Sequence, residues 1–156
     1  MYVSSNASEQ RLRITCKNQE KNAEQVMANG KNKVRGVAQV NKAQEGAFLQ
    51  VVEKTIQGRI GGGSFAKSMT EAGITFPTST YEKVMTVIEE FRNKYEHEQT
   101  KLLALKTEHD SLVIHPFYSL FIKNTSPVDV VIVTSSQARE AYETGLDNDT
   151  NPYNDK

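Results

Sequence analysis

STYEKVMTVIEEFRNKYEHEQTKLLALKTEHDSLVI, residues 79–114, is the stretch that decides the fold class of this chain. It contains no proline, and its inward positions alternate in steps of four and three residues. This spacing predicts one face of a continuous helix. The predicted face consists of Val84, Ile88, Phe91, Tyr95, Glu98, Leu102, Leu105, His109 and Leu112. A helix of roughly 54 Å must pack lengthwise against other helices to bury such a face.

Signals at both ends predict where this helix begins and stops. Ser79 and Glu82 have the spacing of a capping box, in which two side chains satisfy free amides at a helix start. Pro77 disfavours helical angles in the residue before it, and Pro116 is expected to stop the helix. We therefore predict an unbroken helix over residues 79–114.

The N-terminal half supplies partners for that helix. Residues 8–42 lack proline and predict a second long helix, although Gly30 and Gly36 each weaken it by up to about 1 kcal/mol. Residues 43–60 predict another helix. A glycine run follows, and then a short helix over residues 65–72. The last of these is expected to be capped by Ser64 and closed by Gly73.

The C-terminal part is predicted to be less regular. Residues 117–123 predict a short aromatic helix or turn. The β-branched residues 128–133 predict a strand or extended segment, followed by a capping box of Thr134 and Gln137 and a helix over residues 136–144. The polar residues 146–156 are expected to be disordered. The chain is thus predicted to be mainly all-α. Residues 1–145 are expected to form one domain of packed long helices that includes a short C-terminal extended segment and helix.

Composition limits the possible functions. The 156 residues suit one domain, and 19 basic against 19 acidic residues give a formal net charge of zero. Such a chain has no global field to attract nucleic acid, so no nucleic-acid partner is expected. Cys16 is the only cysteine, which excludes an intrachain disulfide and a multi-cysteine zinc site. No apolar run approaches the roughly 20 residues that span a bilayer, so the chain as given is expected to be soluble.

The glycine-rich stretch of residues 61–68, GGGSFAKS, nearly matches a phosphate-binding loop. Ala66 occupies the place of the second glycine, and the preceding segment is predicted to be helical where a strand would be required. A flexible turn is the favoured interpretation. Nucleotide binding or hydrolysis through this loop and Lys67 remains the alternative function.

The other reactive residues favour structural roles. His97 and His109 lie twelve residues apart, and His115 lies beyond the helix, so no zinc spacing is present. His109 is expected to make a polar core contact, and Cys16 to be a small buried residue. Glu98, within the predicted face, should pair with Lys33 or Arg35 or extend towards solvent. No catalytic, cofactor-binding or metal-binding residue is predicted.

Several short motifs resemble a known family. They are KVRGVAQV at residues 33–40, Gly58-Arg59, Phe91-Arg92, Glu98-Gln99, Leu102-Leu103, Leu105-Lys106, IVTSSQA at residues 132–138 and Thr144-Gly145. Together they are similar to the helical core of LemA-like proteins, in the version carried by tailed bacteriophages. The resemblance implies an elongated antiparallel helical bundle, a membrane-spanning helix ahead of it, and no catalytic residues.

From these features we expect a non-catalytic, membrane-associated interaction domain of a bacteriophage protein, acting on host envelope or defence machinery. Its expected partner is an unidentified protein, and a homo-oligomer is possible. The chain is expected to be the soluble part of a longer protein with an N-terminal membrane anchor, on a membrane side that the sequence does not give. A structural virion component is a further alternative to the enzyme.

Overall fold

A computed structural model, which describes residues 2–132, confirms the predicted all-α fold class. The helices are α1 (Tyr2–Ala38), α2 (Lys42–Ile56), α3 (Gly62–Glu71), α4 (Thr78–Ile114) and α5 (Pro116–Ser119). The two long helices, α1 and α4, form the most extensive contact between elements of this part of the chain. None of the helices described over residues 2–132 is long and apolar enough to cross a membrane.

Contacts between α1 and α4 show that the two helices are antiparallel along most of their length. Glu9 lies against His109 near one end, Gln19 bonds Glu98 near the middle, and Lys33 bonds Glu90 towards the other end. Residue numbers therefore rise on one helix as they fall on the other. The first turns of α1 consequently lie beside the end of α4.

The predicted unbroken helix over residues 79–114 is confirmed, but its capping box is wrong. The helix begins at Thr78, with Pro77 as the N-cap and no side-chain capping bond. Ser79 thus lies inside the first turn and cannot occupy the N-cap position that a capping box requires. The other end follows the prediction, because α4 stops at Ile114 and Pro116 begins α5.

Buried positions on α4 recur after seven residues and also after eleven. Val84 and Tyr95 are one such pair, and Phe91, Leu102 and Val113 continue another series. Eleven residues in three turns give 3.67 residues per turn, which is closer to a straight α-helix than the heptad value. A heptad series therefore drifts off the buried face with distance along the helix.

This drift corrects the predicted face at two places. Glu98 and Leu112 are only half-buried, whereas the next residues, Gln99 and Val113, are buried. The heptad prediction thus identified the correct side of the helix, but at these two places it was one residue ahead of the buried position.

α1 runs from Tyr2 to Ala38 without a break at Gly30 or Gly36. The prediction placed it six residues late at its start and four residues late at its end. Gln39 ends the helix with a positive φ of 48°, and the Asn41 side chain accepts a hydrogen bond from the Ala43 amide to start α2. Asparagine is a favoured N-cap residue because its side chain satisfies a free amide.

Glycine at positive φ closes both α2 and α3. Gly58 and Gly73 have φ of 72° and 71°, and the amides of Arg59 and Ile74 reach back to carbonyls five residues earlier. These are Schellman motifs. Gly73 therefore closes α3 as predicted, while the helix predicted over residues 43–60 in fact ends at Ile56.

The predicted cap of the short helix is wrong. Gly61 is its N-cap, without a side-chain bond, and Ser64 lies within α3. The turn between α2 and α3 lies between Ile56 and Gly62, ahead of most of the glycine run. Gly58 already provides the left-handed residue that ends α2.

Two clusters of buried side chains make up the core of the described residues 2–132. The larger lies where α2 and α3 pack on the long helices, and it includes Phe48, Ile56, Phe65 and Phe91. The smaller consists of Cys16, Leu102 and Val128 at the other end of the helix pair. Cys16 is fully buried, as predicted.

Residues 126–132, here named the strap, cover the smaller cluster. A strand or extended segment was predicted over residues 128–133, and the described residues 128–132 form no strand and have no strand to pair with within residues 2–132. Val128 is buried, and Val130 and Ile132 are partly buried on the same cluster. Alternate residues therefore face inward, as in an extended chain. The predicted helix over residues 136–144, its capping box and the predicted disordered tail lie outside the described residues.

Candidate functional site

The glycine-rich stretch of residues 61–68 does not form a loop around a possible phosphate. From Gly62 onward it belongs to α3, and Phe65 within it is fully buried. A turn from α2 precedes it, and no strand is present in residues 2–132. The described backbone thus lacks the strand, loop and helix order of a phosphate-binding loop.

The three histidines are not brought together. His97 is exposed, His109 is fully buried, and His115 follows the last residue of α4. Within residues 2–132, no group of three histidine, cysteine, aspartate or glutamate side chains could hold a metal ion.

His109 is instead the centre of a buried polar cluster between α1 and α4. Its Nε2 lies 2.9 Å from Glu9 Oε1, and its Nδ1 lies 3.1 Å from Asp110 Oδ1. Arg13 donates to the same Glu9 oxygen at 2.6 Å, and Lys106 lies 2.6 Å from the other Asp110 oxygen. Because both imidazole nitrogens face carboxylate oxygens, both can donate only in the protonated ring. The predicted polar core contact of His109 is confirmed.

Charged partners outweigh burial at both carboxylates. Burial raises the pKa of the Glu9 carboxyl. Hydrogen bonds from His109 and Arg13 lower this pKa by more than burial raises it, so the net pKa lies below its ordinary value. Burial likewise acts against hydrogen bonds from Lys106, His109 and the strap amide at Asp110, whose net pKa is also lowered. Both groups therefore stay ionised inside the bundle.

The same cluster holds the strap. Side chains of α1 and α4 bond its backbone from both sides. Hydrogen bonds join Arg13 Nη2 to Ser126 O at 2.9 Å, Val128 N to Asp110 Oδ1 at 3.3 Å, Lys106 Nζ to Val128 O at 3.3 Å, Lys17 Nζ to Asp129 O, and Val131 N to Glu20 Oε2 at 2.6 Å. These bonds satisfy backbone groups that a sheet would otherwise satisfy.

Beyond the strap, a cleft of about 370 Å³ opens between α1, α2 and α4. Its walls carry the carboxylates of Glu20, Glu24 and Glu53. Lys31 also lines it and lies 2.9 Å from Glu53. Tyr95 contributes a phenol from α4. Clefts of this size are typical of small-molecule sites.

The end of the helix pair that lies away from α2 and α3 carries exposed apolar side chains. We name Ile114, Phe117 and Leu120 the apolar end, and they are 75%, 57% and 78% exposed. Ile114 ends α4, and Phe117 and Leu120 follow it in the sequence. Because α1 and α4 are antiparallel, α1 begins at the same end of the helix pair. Exposed apolar side chains that are close together commonly mark an interaction surface.

Sequence reasoning identified His109 but missed Glu9 and Asp110. Glu9 begins the series of buried positions on α1 that continues through Cys16 and Gln19 at helical spacing, and this series was the available signal. The predicted partner of Glu98 was also wrong.

Glu98 bonds Gln19 and Lys101, whereas Lys33 bonds Glu90 and Arg35 bonds Glu45. The reason is the antiparallel register. Residue 33 lies fourteen residues from residue 19, which is about 21 Å along α1.

Comparison of the chain with protein-family models, with curated proteins and with solved structures found no match.

Proposed function

We propose that this chain is a non-catalytic, membrane-associated helical interaction domain of the LemA-like type carried by bacteriophages. The observation that carries the proposal is the apolar end. Its three side chains lie at and just beyond the end of α4. The start of α1, where the family resemblance implies that a membrane-spanning helix joins the bundle, lies at the same end of the helix pair. An apolar surface at that place would rest against the lipid interface.

The expected strength of this contact is modest. Partial burial of three large apolar side chains contributes about 4 kcal/mol, since full burial of one contributes about 1.5–3 kcal/mol. That corresponds to a dissociation constant near 1 mM, so the apolar end would orient a tethered bundle rather than recruit a free one.

The absence of catalysis is supported by the state of the reactive groups. His109 has both nitrogens bonded to carboxylates and is closed to solvent. Burial raises the pKa of the Cys16 thiol, which disfavours the nucleophilic thiolate. The glycine-rich stretch is helical. The partner is proposed to be a protein of the host envelope or of its defence machinery.

Sedimentation with phosphatidylcholine–phosphatidylglycerol vesicles tests the membrane contact, over lipid concentrations around 1 mM. The chain should bind weakly, and a Phe117→Ser, Leu120→Ser double variant should lose binding by about tenfold or more. Ile14→Ser is the matched control, because Ile14 is 61% exposed but lies on α1 away from the apolar end. Equal binding of the double variant would contradict the proposal.

The partner requires a separate experiment. The chain should be used to capture proteins from the host membrane fraction, with the double variant run in parallel. Saturable thermal stabilisation by ATP and magnesium would instead favour the nucleotide-binding alternative. Detection of the protein in purified particles would favour a virion component.

A further inference from the structure

The cleft between α1, α2 and α4 combines three carboxylates with an apolar floor. Glu20 and Glu24 lie on α1, one helical turn or roughly 6 Å apart, and Glu53 faces them from α2. Met27 and Leu49 are among the apolar residues that line the cleft. The chain has no net charge, so this local negative surface is a property of the cleft and not of the whole protein.

Glu24 differs from the other two carboxylates. Glu20 accepts a hydrogen bond from the Val131 amide, and Glu53 is paired with Lys31. Across residues 2–132, Glu24 makes no hydrogen bond or ion pair. It is therefore the carboxylate that is available to a ligand.

Tyr95 provides an independent sign that the cleft accepts a ligand. The residue is only 6% exposed, it lines the cleft, and its hydroxyl makes no hydrogen bond within the described part of the chain. Burial, with a contribution from the nearby Glu53 charge, raises the pKa of Tyr95 to about 12, so the phenol is neutral. Within residues 2–132 no buried side-chain oxygen or nitrogen lacks a hydrogen-bond partner, so the Tyr95 hydroxyl is open to the solvent that fills the cleft. A ligand in the cleft would replace that solvent as its hydrogen-bond partner.

The lining determines the chemistry of that ligand. Carboxylates and a phenol oxygen accept hydrogen bonds from ammonium groups, and an apolar floor fits methylene chains. A compact metal ion fits less well, because within residues 2–132 no three ligating side chains converge. Carboxylates spaced along a helix instead match several charges spaced along one chain.

We propose that this cleft binds a linear aliphatic polyamine. One ammonium group lies at Glu24 with the Tyr95 hydroxyl, and another lies towards Glu20 or Glu53. The methylene stem lies on Met27 and Leu49. A volume of about 370 Å³ suits such a small molecule better than a folded partner. The polyamine site lies apart from the apolar end and does not depend on membrane association.

Isothermal titration of the full chain with spermidine, at near-physiological ionic strength, tests the proposal. We expect saturable binding of one spermidine per chain. Glu24→Gln should weaken binding about tenfold, since a hydrogen bond to a charged group contributes about 1.5–3 kcal/mol. Tyr95→Phe should weaken binding by a smaller factor without lowering the melting temperature, because its hydroxyl has no internal partner.

Glu82→Gln is the matched control. It removes the same charge from an exposed position on α4 outside the cleft, and it should leave binding unchanged. Uncharged 1,8-octanediol should not bind, and magnesium should not compete.

Four results would overturn the proposal. They are no saturable binding, equal weakening by Glu82→Gln and Glu24→Gln, displacement of spermidine by equimolar magnesium, and tighter binding of a trilysine peptide than of spermidine. The last would identify a lysine-bearing protein segment as the ligand. None of these results bears on vesicle binding by the apolar end, so the two proposals fail separately.

Discussion

Alanine at Gly30 should destabilise the bundle, whereas alanine at Gly36 should stabilise it. Both glycines lie inside α1, where alanine improves helix propensity by about 1 kcal/mol. A methyl group at Gly36 would meet nothing within 4 Å. At Gly30 it would lie 2.9 Å from Phe91 Cγ and 3.0 Å from Phe91 Cβ and Cδ1. The two positions therefore differ mainly in their contact with α4.

The magnitude follows from how little Phe91 can move. Its Cβ is fixed to the α4 backbone, so the helices must separate or the ring must leave its rotamer. Lys33 and Lys94 lie over the ring, with their Nζ atoms 5.7 and 4.8 Å from its centroid, and limit such a change. Overpacking of this kind costs about 1–3 kcal/mol. The unfolding free energy of the Gly30→Ala variant should therefore be about 1–3 kcal/mol lower than that of the Gly36→Ala variant.

Urea denaturation followed by far-UV circular dichroism measures this difference. Gly36→Ala should raise the midpoint above that of the unsubstituted chain, and Gly30→Ala should not. The slope with denaturant should be the same in all three proteins, which shows that the native state is intact. If both variants raised the midpoint equally, the close approach of α1 to Phe91 would be refuted.

Three further predictions concern the core, the buried carboxylates and the end of α1. Leu102→Asp should unfold the chain, because a fully buried unpaired charge costs several kcal/mol, while exposed His97→Ala should melt normally in urea. The pKa values of Glu9 and Asp110 are lowered in the folded chain, so both ionised carboxylates stabilise it. This stabilisation is fully present above the ordinary pKa values of 4.5 and 3.8, and it is lost as pH falls through the lower folded values. Glu9→Gln should therefore make the urea midpoint depend less on pH in acid. Gln39→Gly should raise the thermal midpoint, by about 0.5–1 kcal/mol of stability, because φ of 48° is strained for glutamine; an unchanged or lower midpoint would refute the strain.

The long helices could be predicted because their signals are local. Apolar residues at helical spacing, an absence of proline and Pro116 together determined the extent of α4. The end of α1 was less predictable, since Gln39 ends the helix through a positive φ that leaves little sequence signal. A favourable capping pattern such as Ser79 and Glu82 does not act when the helix begins two residues before the position that the pattern requires.

Pairings between helices required information that one helix does not contain. Glu98 was expected to pair with a basic residue such as Lys33 or Arg35 or to extend towards solvent, but the antiparallel register places Gln19 opposite it. A single known contact fixes that register. Once Glu9 is placed at His109, counting along both helices at 1.5 Å per residue places Gln19 level with residue 99, next to Glu98.

The strap connects the buried polar cluster to the cleft, and no local pattern predicts this connection. Asp110 bonds both His109 and the Val128 amide, and Glu20 bonds the Val131 amide while it lines the cleft. A β-branched sequence predicts a strand because strands satisfy backbone groups by pairing. Here ionised side chains of two helices satisfy those groups, which requires carboxylates that stay charged inside the bundle. The extended conformation of the strap therefore depends on the charge state of a cluster formed by residues about one hundred positions apart in sequence.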